Sequence, residues 1–195
     1  HSRAKSTTIK EPCYYSYNFH KGKRWYLSQF PQKQWLSPRQ WYFDASPVYL
    51  HDPLAAARIQ ADYPATRLIT ILRDPIERAI SHYNYYSSPD SNFARNPENR
   101  RDERTVQQAF LDDMKGLELR PFFRYCHMSC YAEQLRSFTQ CFAPEQILCI
   151  DSTDLERDHL AVLDRVAAFI GLPDPQEFRQ FSASTDKVES QKSFS

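Results

Sequence analysis

Arg73 directly follows the apolar run Arg67-Leu68-Ile69-Thr70-Ile71-Leu72 and is followed in turn by Asp74-Pro75. A guanidinium at that place can hold a phosphate through two parallel hydrogen bonds, which a lysine cannot imitate. If a helix opens at Pro75, Ser81 lies about two turns along it, and its hydroxyl can join Arg73 around one anion. The helical period puts positions 74, 77, 78 and 81 on one face, so Ser81 and Arg78 share the polar side, with Ile76, Ala79, Ile80 and Tyr83 towards the other. A plainer arrangement also fits these residues. In it Arg73 pairs with Asp74, and Ser81 is a surface or packed serine.

The elements that must position these side chains can be read on either side of them. The run Arg67 to Leu72 has the continuous β-branched pattern of a strand buried on both faces of a parallel sheet. Asp74-Pro75 is an N-cap followed by proline at the first helical position, so strand, turn and helix follow with almost no loop. Ligands in such sheets bind beyond the carboxyl ends of the strands, where a helix N-terminus offers unpaired N–H groups to an anion. Asp52-Pro53 gives the same cap signal for a helix to about Asp62. Further helices are expected over Lys21–Gln29, Val106–Lys115, Ser129–Phe142 and Leu155–Ile170, the last closed by Gly171. Short strands are expected at Trp41–Phe43 and Gln146–Asp151. The polar stretch from Ser87 to Arg104 reads as an exposed loop, and the tail after Phe181 carries no secondary-structure signal. Strands alternating with helices predict an α/β fold, a parallel sheet flanked by helices.

Composition bounds what such a fold can do. A chain of 195 residues, 41% hydrophobic and 25% charged, is expected to form a single domain around one core. A net charge of +1 gives no global pull towards nucleic acid. No apolar run is long enough to span a membrane. Only Gly22, Gly116 and Gly171 occur, so no complete glycine-rich phosphate loop is present. The cysteines at 13, 126, 130, 141 and 149 lack the spacing of a zinc site, and their odd number fits a reducing compartment.

Read as Arg-Asp-Pro-x-x-Arg-Ala-x-Ser-x-Tyr, residues 73–83 resemble the 3′-phosphate-binding motif of sulfotransferases that use 3′-phosphoadenosine-5′-phosphosulfate (PAPS). The likeness is to the heparan sulfate N- and O-sulfotransferases and their bacterial relatives. Four further segments match in the same order. Lys10-Glu11-Pro12-Cys13-Tyr14-Tyr15 is similar to a Lys-Glu segment followed by aromatics, and His20-Lys21-Gly22-Lys23-Arg24-Trp25-Tyr26 to a Lys-Gly-x-x-Trp-Tyr segment. Phe43-Asp44-Ala45-Ser46-Pro47-Val48-Tyr49 resembles Glu-x-Ser-Pro-x-Tyr, and Ser129-Cys130-Tyr131-Ala132 a Tyr-Ala helix start. The resemblance runs from about residue 9 to 173. It implies a sulfotransferase fold of the P-loop-kinase type, here without the N-terminal phosphate loop.

The resemblance also implies roles. Arg73 and Ser81 would bind the 3′-phosphate of PAPS, with the bisphosphate PAP as product, and Glu11 would be the catalytic base. Asp44, Lys21 and Arg24 would meet a carbohydrate or other hydroxyl- or amine-bearing acceptor. His20 is a reserve base. Sulfuryl transfer needs a base, cations for the charge growing on the phosphate, and in-line positioning; that list contains no metal. The compartment would be cytoplasmic in a bacterium and the Golgi lumen in an animal. Lys5-Ser6-Thr7-Thr8 is only superficially like the family's Lys-x-Gly-Thr-Thr loop and is given no role. The chain is expected to be a single sulfotransferase-like domain over 1–195, truncated at both ends and weakly active or inactive alone. The alternative is a non-catalytic binding or structural domain on the same scaffold.

Overall fold

The computed structural model describes residues 4–31, 41–96, 98–118 and 120–172; the stretch around Trp35 and the tail after Phe181 lie outside the described residues. Among them, strands form two parallel pairs. β1 (Ala4–Ser6) runs beside β2 (Trp41–Phe43), with Ser6 opposite Phe43. β3 (Leu68–Leu72) runs beside β4 (Ile147–Asp151), with Leu72 opposite Asp151. Within each pair the carboxyl ends are level, so the residues leaving one strand start out beside those leaving its neighbour. The helices are α1 (Gly22–Ser28), α2 (Ala55–Asp62), α3 (Pro75–Ser87), α4 (Val106–Met114), α5 (Tyr131–Cys141), α6 (Ser152–Arg157) and α7 (His159–Ile170). The α/β class, with parallel strands flanked by helices, is the expected one.

Several details differ from the sequence pattern. β1 is not predicted by it, because three residues with a central lysine carry no apolar run; pairing with β2 makes them a strand. Lys5 and Ser6 are therefore strand residues. Asp52 makes a turn ahead of α2 instead of capping it, accepting from the Leu54 N–H at 2.8 Å. β3 is not buried on both faces: Ile69 and Ile71 are 42% and 54% exposed, while Leu68, Thr70 and Leu72 are half-buried on the other face. The helix expected over Leu155–Ile170 is broken at Asp158, whose φ of −150° is not helical and whose side chain caps α7 by accepting from the Ala161 N–H at 3.0 Å. Gly171, at φ 73°, closes α7 in the left-handed conformation that glycine adopts without a Cβ penalty.

The stretch Ser87 to Arg104 is the largest departure, for its end is tied down. Asp102 is 2% exposed and accepts from Tyr125 Oη at 2.9 Å and Arg104 Nε at 2.8 Å. Arg104 also reaches Asp112 at 2.9 Å and Glu118 at 2.6 Å. Burial works against the charge of Asp102, yet the hydrogen bonds from Arg104 and Tyr125 leave its pKa below the ordinary carboxylate range.

Two aromatic-rich cores result. Tyr14, Tyr15, Tyr26 and Phe30 from the N-terminal part pack with Ala55, Ala56 and Ile59 of α2 and with Phe138 and Phe142 of α5 and its end. Ala79 of α3, Ala109 of α4, Phe123 and Tyr125 form the second. The first core underlies Glu11 and Asp44, the second the inner face of α3.

Candidate functional site

Arg73 emerges where β3 stops. It is exposed and pairs with Glu77, Nη2 to Oε2 at 3.1 Å and Nε to Oε2 at 3.2 Å, not with Asp74. An exposed pair of this kind contributes little to stability, so an incoming dianion can displace the carboxylate. Asp74 instead caps α3, its Oδ1 accepting from the N–H groups of Ile76 and Glu77, each at 2.9 Å. With Pro75 lacking an N–H, the first turn has few free donors for an anion. A phosphate placed here would therefore have to be held by side chains.

Ser81 is exposed and lies one turn beyond Glu77, so the outer face of α3 carries Glu77 and Ser81 in line with Arg73. Ile76 and Ile80 share this exposed side, at 68% and 43%. Arg78 does not accompany Ser81, contrary to the helical-wheel expectation. It turns inward, donating from Nε to Ser129 Oγ at 2.7 Å and from Nη2 to the Tyr125 carbonyl, with Nη1 3.2 Å from His82 Nδ1. Burial lowers the pKa of Arg78, and burial together with Arg78 and His51 pushes His82 down to about 4. The His82 ring is thus neutral, with Nδ1 accepting.

Asp44 lies immediately beyond β2, and Glu11 in the loop that follows the neighbouring parallel strand β1. Glu11 has φ 52° and Cys13 φ 48°, both left-handed, on either side of the fully buried Pro12. Non-glycine residues in this region cost on the order of 1 kcal/mol or more and collect at functional sites. The Glu11 side chain stays 44% exposed, 3.8 Å from the Lys10 ammonium. The loop leading to it is tied to the end of α1 by the Thr8 N–H, 2.6 Å from the Gln29 carbonyl. Asp44 accepts from Ser46 Oγ at 2.6 Å and Tyr49 Oη at 2.5 Å. Those hydroxyls in turn accept from the Cys13 N–H at 3.0 Å and the Tyr14 N–H at 2.9 Å. Sequence reasoning assigned a role to the acid of this segment and missed its hydroxyls, although the run Asp44-x-Ser46-Pro47-x-Tyr49 held the signal.

The basic residues in and just before α1 separate by role. Lys21 is exposed with its ammonium 4.5 Å from the centre of the Trp25 ring, and Arg24 is exposed. Lys23 is committed to Asp62 of α2 at 2.8 Å. His20 is exposed, with Nδ1 3.0 Å from the Tyr17 carbonyl. Tyr131, at the start of α5, is half-buried in the surroundings of Arg78. Chemically, the arrangement offers an exposed carboxylate on a strained loop, exposed cations at the start of α1, and the Arg73 guanidinium after β3 in line with the Ser81 hydroxyl on the outer face of α3.

Comparison with known proteins gives a consistent picture. The profile of the family described as "Sulfotransferase domain" matches residues 2–193. Bifunctional heparan sulfate N-deacetylase/N-sulfotransferase 3 of Homo sapiens is 29% identical over 161 residues, covering 80% of this chain and 17% of the human protein. Bifunctional heparan sulfate N-deacetylase/N-sulfotransferase 4 of Mus musculus is 31% identical over 156 residues, covering 80% and 17%. The chain spans about a fifth or less of the length of these relatives. The crystal structure of a sulfotransferase from Alicyclobacillus acidocaldarius superimposes with a TM-score of 0.70 at 21% identity, covering 90% of this chain and 75% of that one; the likeness is one of fold.

Proposed function

The chain belongs to the sulfotransferase domain family, and from that premise we propose that it transfers a sulfuryl group from PAPS to a hydroxyl or amine of a carbohydrate-like acceptor. The observation that carries this reading is Arg73 at the carboxyl end of β3 with Ser81 on the same exposed face of α3. The heparan sulfate relatives support a carbohydrate as the acceptor. When bound, PAPS supplies the sulfuryl group, and its phosphate takes up the charge of the broken bond.

The chain's own residues then divide the work. Arg73 releases Glu77 and holds the 3′-phosphate with a bidentate pair, and Ser81 donates its hydroxyl to the same group. Glu11 takes the proton of the acceptor hydroxyl or amine at its exposed carboxylate. Lys21 and Arg24 present cations to an anionic acceptor.

Calorimetric titration of the intact protein with adenosine 3′,5′-bisphosphate tests the donor half. Arg73→Ala is expected to weaken binding by about tenfold or more and Ser81→Ala by less, in line with the greater strength of charge-assisted hydrogen bonds. Equal affinity in parent and both variants would remove the nucleotide assignment. Glu11→Gln should lower turnover by roughly a hundredfold while leaving that affinity intact; unchanged turnover would remove Glu11 as the base.

A further inference from the structure

Asp44 is expected at the acceptor, yet both its carboxylate oxygens are taken by hydroxyls of its own segment, with the Tyr26 hydroxyl also bonded to it. Oδ1 accepts from Ser46 Oγ at 2.6 Å and Oδ2 from Tyr49 Oη at 2.5 Å. An ionised carboxylate only accepts hydrogen bonds, so each hydroxyl must spend its single proton on Asp44 and has only lone pairs left to offer. Those lone pairs meet the backbone N–H groups of Cys13 and Tyr14, at 3.0 and 2.9 Å. Asp44 thereby sets the direction of two relays, each running from backbone N–H to hydroxyl to carboxylate. Burial, then the bond to Asp44, pushes the Tyr49 hydroxyl up, so it keeps the proton that the relay needs.

The segment held by these relays is the strained one. Glu11 and Cys13 are the non-glycine residues with left-handed φ among the described residues. A backbone in that region persists only where its surroundings over-determine it. Other bonds brace the carbonyls of the same turn: Asn18 Nδ2 donates to the Pro12 carbonyl at 2.8 Å, and Ser16 Oγ and the Ser16 and Asn18 N–H groups donate to the Cys13 carbonyl at 3.2, 3.3 and 3.1 Å. Among the described residues, the Cys13 and Tyr14 N–H groups donate to Ser46 and Tyr49.

We propose that Asp44 is a positioning residue, which fixes the Glu11 loop through Ser46 and Tyr49 instead of binding the acceptor. For catalysis the proposal rests on Glu11 being the base; for the loop itself it does not. An asparagine at 44 would put an amide donor against one of the two hydroxyls. That hydroxyl would then have to accept from the amide and turn its proton towards a backbone N–H, breaking one relay.

The test joins amide hydrogen exchange with steady-state kinetics on the intact protein. In Asp44→Asn, exchange at the Cys13 or the Tyr14 amide, whichever relay the new amide donor breaks, should quicken by about tenfold or more. Ser46→Ala should release Cys13 alone, and Tyr49→Phe Tyr14 alone; these milder variants carry the same readout if Asp44→Asn does not fold. Turnover should fall by about tenfold or more in Asp44→Asn with the acceptor KM unchanged, as a displaced base requires. Unchanged exchange at both amides would overturn the proposal whatever the activity. So would a raised acceptor KM with turnover and exchange kept, which would make Asp44 an acceptor contact. Full turnover in Glu11→Gln would sink the base assignment and leave the exchange result standing, because exchange is measured without substrate.

Discussion

His82 is held neutral by its surroundings. Arg78 donates towards its Nδ1, the Tyr86 and Tyr125 rings pack edge-on against it, and burial with the charges of Arg78 and His51 brings its pKa to about 4. In the unfolded chain an imidazole titrates near 6.5. Because the folded value lies below the unfolded one, the unfolded chain takes up the proton first as the pH falls. Stability from this residue is complete above about pH 6.5 and is lost between there and about pH 4. The melting temperature of the parent should therefore drop more between pH 7 and pH 4.5 than that of His82→Gln, followed by circular dichroism. Parallel declines would place the titration elsewhere. The same neighbourhood marks the limit of residue-by-residue reading. Arg73 and Ser81 are exposed as their types suggest, but the wheel sorts Arg78 outward only because it is charged. Inside, it finds a carbonyl, a hydroxyl and an imidazole, partners that lie 4 to 51 positions away in the chain.

Elements are the scale at which local chemistry and structure agree best. The Asp74-Pro75 signal opens α3 as the pattern requires, and the cap is complete, with two N–H groups bonded to one carboxylate oxygen. Asp74→Ala should cost about 1 kcal/mol, and thermal melts would reveal it as a fall of roughly 2–4 °C in a chain of this size. A variant as stable as the parent would mean that packing of Ala79 and Arg78, and not the cap, sets the start of the helix. The identical Asp-Pro pair at 52 fails to cap α2, because Asp52 closes a local turn onto Leu54 and the chain begins its helix only at Ala55. The break between α6 and α7 was equally hidden. Apolar periodicity continues through Asp158, and only its side-chain bond to Ala161 shows two helices where the pattern draws one.

For the molecule as a whole, the alternation of strands and helices sufficed to predict the α/β class, whereas the pairing of strands could not be deduced from it. β1 is a strand by virtue of β2, and the polar stretch before Arg104 is anchored by acids and arginines that a hydropathy pattern assigns to solvent. The candidate base was legible from its neighbours in sequence, but the carboxylate and hydroxyls that steady its loop were not, because they arrive from 33 to 35 residues further on. That loop has a consequence for the protein's gains by mutation. Glu11, at φ 52°, occupies a conformation that glycine and asparagine adopt far more readily. Glu11→Asn should melt no lower than the parent and up to a few degrees higher, while Glu11→Gln, which keeps the strain, should melt with the parent. If so, and if Glu11 is the base proposed above, ordinary selection for a sturdier domain would steadily erode the carboxylate, and its presence would measure how strongly activity is defended against robustness.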